Sequence, residues 1–240
     1  MTTPTRKGTD QAPATSSRAD IDAFLDKVKS LGPAVTAGKR GRLVFALDAT
    51  MSRQPTWDTA QKLQADMFRE AAQIGGLDIQ LVYFRGMGEC RSSAFVANAD
   101  RLAELMSRID CRGGHTQIAK VLSHTRKEHK AQAVQALVYV GDAMEEAVDD
   151  LAAAAGELGL LGVPVFMFQE GRDPVAENAF REIARLSRGA YCRFDPGAAH
   201  QLAELLRAVA AYAAGGMKAL TALSNRQAGS AQLLLAQLRG

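Results

Sequence analysis

Asp48, Thr50 and Ser52 form a D-x-T-x-S cluster directly after the apolar run Leu43-Val44-Phe45-Ala46-Leu47. One carboxylate and two hydroxyls on one tight loop are hard oxygen donors, suited to a divalent cation such as Mg²⁺. Two further loops carry related chemistry. Gly113-Gly114-His115-Thr116-Gln117-Ile118 delivers Thr116 just ahead of an apolar helical stretch, and Gly141-Asp142 follows the apolar run 136–140. A short continuous apolar run reads as a buried parallel strand. The carboxyl end of such a strand is where open α/β sheets bind ligands. If the strands ending at Asp48 and Asp142 are neighbours, their backbones lie about 4.8 Å apart. Two carboxylates and three hydroxyls then converge on one ion. A second reading of the same residues is local: Asp, Thr and Ser are good helix N-caps, and Asp142 with Glu145 resembles a capping box.

The elements that must position these loops follow from periodicity. Apolar runs at 42–47, 77–84 (LDIQLVYF), 136–140 (ALVYV), 163–168 (VPVFMF) and 190–194 read as strands. Amphipathic stretches at 56–74, 100–109, 116–130, 145–158, 175–187 and 198–214 read as helices. Pro55 suits a first helical turn, where its missing donor costs nothing, and Gly75-Gly76 ends that helix. Residues 85–97, with Gly86, Gly88 and the β-prone Phe95-Val96, read as a short edge strand with turns. Strands separated by helix-length segments predict an α/β fold: a doubly wound, mostly parallel, Rossmann-like sheet flanked by helices on both faces. The expected organisation is a disordered tail over 1–18, an N-terminal helix and linker over 19–39, the main domain over 40–213, and a C-terminal amphipathic segment over 214–240. Within that last segment Leu220, Leu223, Leu233, Leu234, Leu235 and Leu238 form an apolar series that packs on the domain or meets a partner.

Composition narrows the function classes. The chain has 240 residues, 47% of them hydrophobic, and a net charge of only +3. Scattered basic residues and sparse aromatics leave no nucleic-acid footprint. Cys90, Cys111 and Cys192 are widely spaced and odd in number, which argues against a disulfide framework or a zinc ribbon. The N-terminus has no apolar signal region. The nearest approach to a membrane span, 151–168, is broken by Glu157, three glycines and Pro164. A cytoplasmic protein with no membrane segment is the expectation. There is no G-x-x-x-x-G-K-[ST] loop and no G-x-S-x-G elbow, and Gly86-Met87-Gly88 lacks the third glycine of a dinucleotide fingerprint.

Taken together, D-x-T-x-S, a Gly-Gly loop with Thr, and Gly-Asp after an apolar strand resemble the von Willebrand factor A (VWA) domain, in its intracellular bacterial type. That family's metal-ion-dependent adhesion site (MIDAS) is D-x-S-x-S with a distant Thr and a distant Asp. The resemblance implies that Asp48, Thr50, Ser52, Thr116 and Asp142 match its five positions in order, over roughly 40–213. Thr50 stands for the usual first Ser and keeps the hydroxyl. His115 is inserted between the Gly pair and Thr116. The family implies Mg²⁺ or Mn²⁺ held by these side chains, binding without chemical turnover, and docking of a partner protein's Asp or Glu. It also implies multiprotein assemblies, often beside AAA-type ATPases.

The alternative is a metal-dependent phosphoryl-transfer or hydrolytic enzyme on a Rossmann-like sheet, with Asp48 as nucleophile or ligand. Against it, Thr50 stands where a second carboxylate is needed, and only Lys120 offers itself to a phosphate. Glu145, Glu146, Asp149 and Asp150 read as a solvated helix start favoured by the dipole. Arg53, Arg85, Glu89 and Arg91 read as edging the same crevice. His115 reads as a loop hydrogen-bonder. His124 and His129, five apart, share no helix face. Cys90 and Cys192 read as small buried hydrophobes, and Cys111 as an exposed thiol without an activating partner.

Overall fold

Residues 41–48, 136–141 and 165–170 offer no polar face, and in the computed structural model of the chain each is buried along its whole length. The structure describes residues 40–57 and 77–194, with further helical positions at 19, 22, 23, 26, 27, 61, 207–210, 212 and 213. The expected tail over 1–18, most of the helices over 20–31, 56–74 and 198–214, the turn Gly75-Gly76 and the segment 214–240 lie outside the described residues.

The strands are β1 (Gly41–Asp48), β2 (Leu77–Arg85), β3 (Glu89–Ser92), β4 (Ala136–Gly141), β5 (Val165–Glu170) and β6 (Ala190–Phe194). The helices are α1 (Ala99–Ser107), α2 (Ile118–Ala131), α3 (Val148–Leu160) and α4 (Pro174–Leu186), with a 3₁₀-helix over Met51–Thr56. Among the described residues they make one six-stranded sheet in the order β3-β2-β1-β4-β5-β6. All pairings are parallel except β2 with β3. The expected doubly wound sheet is therefore present. Strand order reverses between β1 and β4, so their carboxyl ends flank the switch point where such sheets bind ligands.

Alternation along the strands sorts two apolar layers. Leu43, Phe45, Leu47, Val138, Val140, Phe166 and Phe168 face α1 and residues 208–210, 212 and 213. Val44, Ala46, Leu137, Tyr139, Val165 and Met167 face α2, α3 and α4, meeting Val121, Leu122, Leu158, Phe180 and Ile183. A slip of one residue in β1 would exchange the layers and turn Asp48 to the opposite face, so burial fixes the register. Full burial of a side chain such as Phe180 contributes roughly 1.5–3 kcal/mol. Asn98 caps α1 by accepting from the Arg101 amide at 2.9 Å. Asp173 caps α4 by accepting from Val175 at 2.7 Å and Ala176 at 3.3 Å.

Several boundaries differ from those expected, each for a local reason. Pro55 sits inside the 3₁₀-helix and not in the first turn of a long α-helix. The edge strand is Glu89–Ser92, while Val96 makes only an isolated antiparallel bridge with Ile79. β5 begins at Val165 because the Val163 amide closes the end of α3 on Leu158 O at 2.9 Å, and Pro164 has no amide to give. α3 begins at Val148, three residues later than expected, because Glu145 and Glu146 are occupied elsewhere.

The loop carrying Thr116 approaches the β2–β3 turn through glycine. A Cβ on Gly114 would lie 2.0 Å from Gly86 O and 2.3 Å from its carbonyl carbon. Gly114→Ala must push two backbones apart. It is expected to lower stability by about 1–3 kcal/mol, read as a fall in the urea midpoint, as overpacking does elsewhere.

Candidate metal centre

Asp48 is the last residue of β1 and is wholly buried. Its Oδ1 accepts the Thr50 amide at 2.8 Å, which bends the chain off the strand. Its Oδ2 is buried with no hydrogen-bond partner. Thr50 Oγ1 and Ser52 Oγ lie 3.1 Å apart. Thr50 occupies the N-cap position of the 3₁₀-helix, yet its side chain makes no capping bond. The local reading thus accounts for one oxygen of Asp48 and leaves the other unexplained, and neither hydroxyl acts as a helix cap.

Asp142 is the first residue beyond β4, and β4 lies directly beside β1 with Leu47 opposite Val140. The Ser52 hydroxyl hydrogen-bonds the Asp142 carboxylate, whose Oδ1 is likewise buried without a partner. Asp142 caps no helix: the N-cap of α3 is Ala147. The structure thus brings Asp48, Thr50, Ser52 and Asp142 to one place. Burial is the main force raising the Asp48 carboxyl from 3.8 to about 6. Bonds from Thr50 oppose that rise, repulsion from Asp142 adds to it, and Arg53 offsets part of it. Asp142 is raised as well, first by desolvation. Two half-satisfied carboxylates, one buried and one half-buried, are the local charge problem here.

Thr116 stands in the loop next to the one holding Asp142. Its Oγ1 accepts the Glu145 amide at 3.0 Å, and Glu145 Oε2 accepts the Thr116 amide at 3.0 Å. Glu146 takes the first amides of α2, those of Ile118 and, at 3.0 Å, Ala119. The N-cap position of α2 is Gln117, not Thr116. Glu145 and Glu146 are therefore no solvated start of their own helix. They cross to the positive end of α2 and tie two loops together. Asp149 and Asp150 do sit exposed in the first turn of α3. The Thr116 loop is also tied to the first cluster, because the Arg112 amide donates to Ala49 O at 3.0 Å.

Arg53 departs most from expectation. It is buried, not a rim residue. Its Nη1 donates to the Asp48 carbonyl at 2.8 Å, and Nε and Nη2 both reach Glu170 Oε2, at 3.0 and 2.8 Å. It clamps the end of β1 to the end of β5, with Asp142 on the strand between. Arg85 pairs with Glu89 and Asp110, and Arg91 with Glu89, so these form a network on the β2–β3 edge. His115 is exposed, 3.2 Å from Glu145 Oε2. His124 meets Gln80 and His129 meets Val134, so they share no site. Lys120 Nζ is engaged by Gly88 O at 3.1 Å and Gln117 Oε1 at 2.8 Å. Cys192 is buried as expected, Cys90 only half so, and Cys111 is buried where exposure was expected, its thiol pushed up to about 11 by burial.

Among the described residues no trio of His, Cys, Asp or Glu gathers to hold a metal. Any cation site at this edge is one of mixed carboxylates and hydroxyls. Glu170 is the residue that sequence patterns do not assign, while Arg53, Glu145 and Glu146 carry other roles in the sequence reading. Their only sequence signal is position, each lying within a few residues of a strand's carboxyl end.

No protein-family model and no curated protein matches the chain. Solved structures do. An aerotolerance-related membrane protein from Bacteroides fragilis, bearing serine mutations, aligns with a TM-score of 0.55 at 16% identity, over 69% of this chain and 98% of its own. A von Willebrand factor type A protein from Catenulispora acidiphila aligns at 0.59 and 17% identity, over 80% of this chain and 46% of its own. Proximal thread matrix protein 1 from the mussel byssus, with a zinc-occupied MIDAS motif, aligns at 0.60 and 13% identity, over 74% of this chain and 48% of its own. The chain thus spans about half the length of the last two. At such identities the likeness is one of architecture, and the strand order agrees with it. The chain has the fold of a von Willebrand factor A domain.

Proposed function

We propose that this is a protein-interaction domain whose docking point is a divalent cation, Mg²⁺ or Mn²⁺, held by Asp48, Thr50, Ser52, Thr116 and Asp142. One observation carries the proposal: Asp48 Oδ2 and Asp142 Oδ1 are buried, unpartnered and on adjacent strand ends. Buried carboxylate oxygens ordinarily find a donor or a cation. The donor set is hard and short, which fits Mg²⁺ or Mn²⁺. A cation bound there supplies an electrophilic centre that accepts an anionic oxygen ligand. Thr50, Ser52 and Thr116 contribute neutral oxygens and so do not quench that centre as further carboxylates would. Glu145 orients the Thr116 hydroxyl, and Arg53 anchors the backbone of Asp48. The zinc-occupied MIDAS of the mussel protein is in keeping with this chemistry.

The surroundings favour binding over turnover. Lys120 is held away by Gly88 and Gln117, and no second carboxylate replaces Thr50. Among the described residues six large apolar side chains are exposed. Four of these, Met51, Met87, Val148 and Val175, follow the carboxyl ends of β1, β2, β4 and β5. That rim suits an acidic side chain carried on an apolar segment of a partner protein. An AAA-type ATPase or another assembly component is the partner class raised by the resemblance. A cytoplasmic setting belongs to the same proposal; no helix among the described residues is long and apolar enough to cross a membrane.

Calorimetric titration tests the site. Wild-type protein should give saturable Mg²⁺ and Mn²⁺ binding, weakened more than about 100-fold in Asp48→Ala, beyond what loss of an outer-shell partner does. Equal responses from the two proteins would sink the proposal. Capture of partner protein should need the cation, disappear with chelator, and weaken in Met51→Ser with Met87→Ser while Mg²⁺ affinity holds.

The Asp48 carboxyl also predicts a pH profile. Folding raises it from 3.8 to about 6, so the folded protein keeps a proton that the unfolded chain has released. Stability of the chelated protein should therefore fall as pH rises from about 4 to 7, by about 3 kcal/mol from Asp48 alone. Asp142, raised in the same direction, adds to the loss. Urea unfolding in chelator should show this slope, Asp48→Asn should flatten it, and saturating Mg²⁺ should reverse the loss at neutral pH. A wild-type profile already flat in chelator would contradict the burial of charge described above.

A further inference from the structure

Another buried oxygen without a hydrogen-bond partner, Tyr139 Oη, belongs to the strand that leads to Asp142. Tyr139 is on β4, opposite Ala46 of β1, and two residues further along β1 on the same face comes Asp48. Its ring is wedged between Phe84, stacked at 6.2 Å, and Phe180, edge-on at 5.3 Å. The ring runs along the strand toward the site. A Cβ on Gly141 would lie 2.6 Å from Tyr139 Oη and 2.8 Å from its ring carbon Cε1. Glycine at 141 therefore leaves the space that the tyrosine fills, and the hydroxyl arrives at the residue preceding Asp142. The charges of Asp48, Glu146 and Asp142 all act on this hydroxyl.

Nothing in the apolar packing uses that oxygen. A phenylalanine would make the same ring contacts and avoid the desolvation cost of a buried hydroxyl. Asp48 and Asp142 of the candidate site are among the charged groups that act on it, with Glu146 and Arg53. A hydroxyl rotates freely and donates one proton. Asp48 Oδ2 is an acceptor lacking a donor. We propose that Tyr139 is a positioning residue of the cation site, its hydroxyl donating to Asp48 Oδ2 through one buried water, and so fixing how that carboxylate faces the cation. This rests on the cation reading given above for what the site does. It adds a residue that the five-oxygen motif does not contain.

The test compares wild type, Tyr139→Phe and Phe180→Leu, all as the full chain. Mg²⁺ affinity measured by calorimetry should fall about 10–100-fold in Tyr139→Phe, the usual size of an outer-shell effect. Phe180→Leu, which disturbs the same ring packing without removing an oxygen, should change the urea midpoint and leave Mg²⁺ affinity within twofold. A metal-free readout runs alongside. In chelator, the urea midpoint shifts of Tyr139→Phe and Asp48→Asn should fail to add in the double variant. Tyr139→Phe with wild-type Mg²⁺ affinity would overturn the assignment. If the wild type takes up no cation, the functional reading fails by itself, and the cycle alone decides: additive shifts overturn the role of Tyr139, and non-additive shifts uphold its hold on Asp48.

Discussion

Two carboxylates at the carboxyl ends of adjacent parallel strands, one buried and one half-buried, are the constraint around which this domain is arranged. Asp48 and Asp142 are set there by a register that apolar burial enforces, each keeping an oxygen with no partner. What remains is a concentrated negative site whose natural complement is a small hard cation. On the proposed reading, the same charges that would attract such an ion oppose the fold without it. Charges that oppose their own scaffold in this way are held in place by stability contributed elsewhere.

That support is visible in the cross-braces. Arg53 joins the end of β1 to Glu170 at the end of β5, passing its charge close to the carboxylates and lowering their mutual repulsion. Breaking one partner of such a buried pair usually costs several kcal/mol, roughly 3–5. Glu145 and Glu146 reach across to the Thr116 amide and the amides that open α2, so the loops carrying Thr116 and Asp142 are bonded to each other. Gly114 packed on Gly86 brings the β2–β3 turn to the same edge. A partner that touches any one of these loops therefore acts on a tied set, and the exposed Met51 and Met87 lie on two of its members.

Much of this was legible in the chain. Uninterrupted apolar runs announced the buried parallel strands, because a strand covered on both faces has no polar side to show. Helical periodicity placed α1, α2, α3 and α4 within a few residues. The three oxygen-bearing loops could be picked out because each follows a strand or opens a helix. The misplaced boundaries share a cause. The start of α3 and the start of β5 were decided by hydrogen bonds to groups elsewhere: Glu146 caps α2 rather than α3, and Val163 closes α3 rather than entering β5.

Residue order alone determined the architecture and the identity of the oxygen donors, since pattern and type are local properties of the chain. Tertiary structure alone decided which donors stay unpaired. Arg53 looked like a surface cation and Tyr139 like one more apolar residue of ALVYV, yet one became a buried clamp and the other brought a buried, unpartnered hydroxyl to the strand ends that carry the carboxylates. Those roles depend on what crosses from neighbouring strands and loops. Such contacts join residues 29 to 117 positions apart, and no local pattern encodes them.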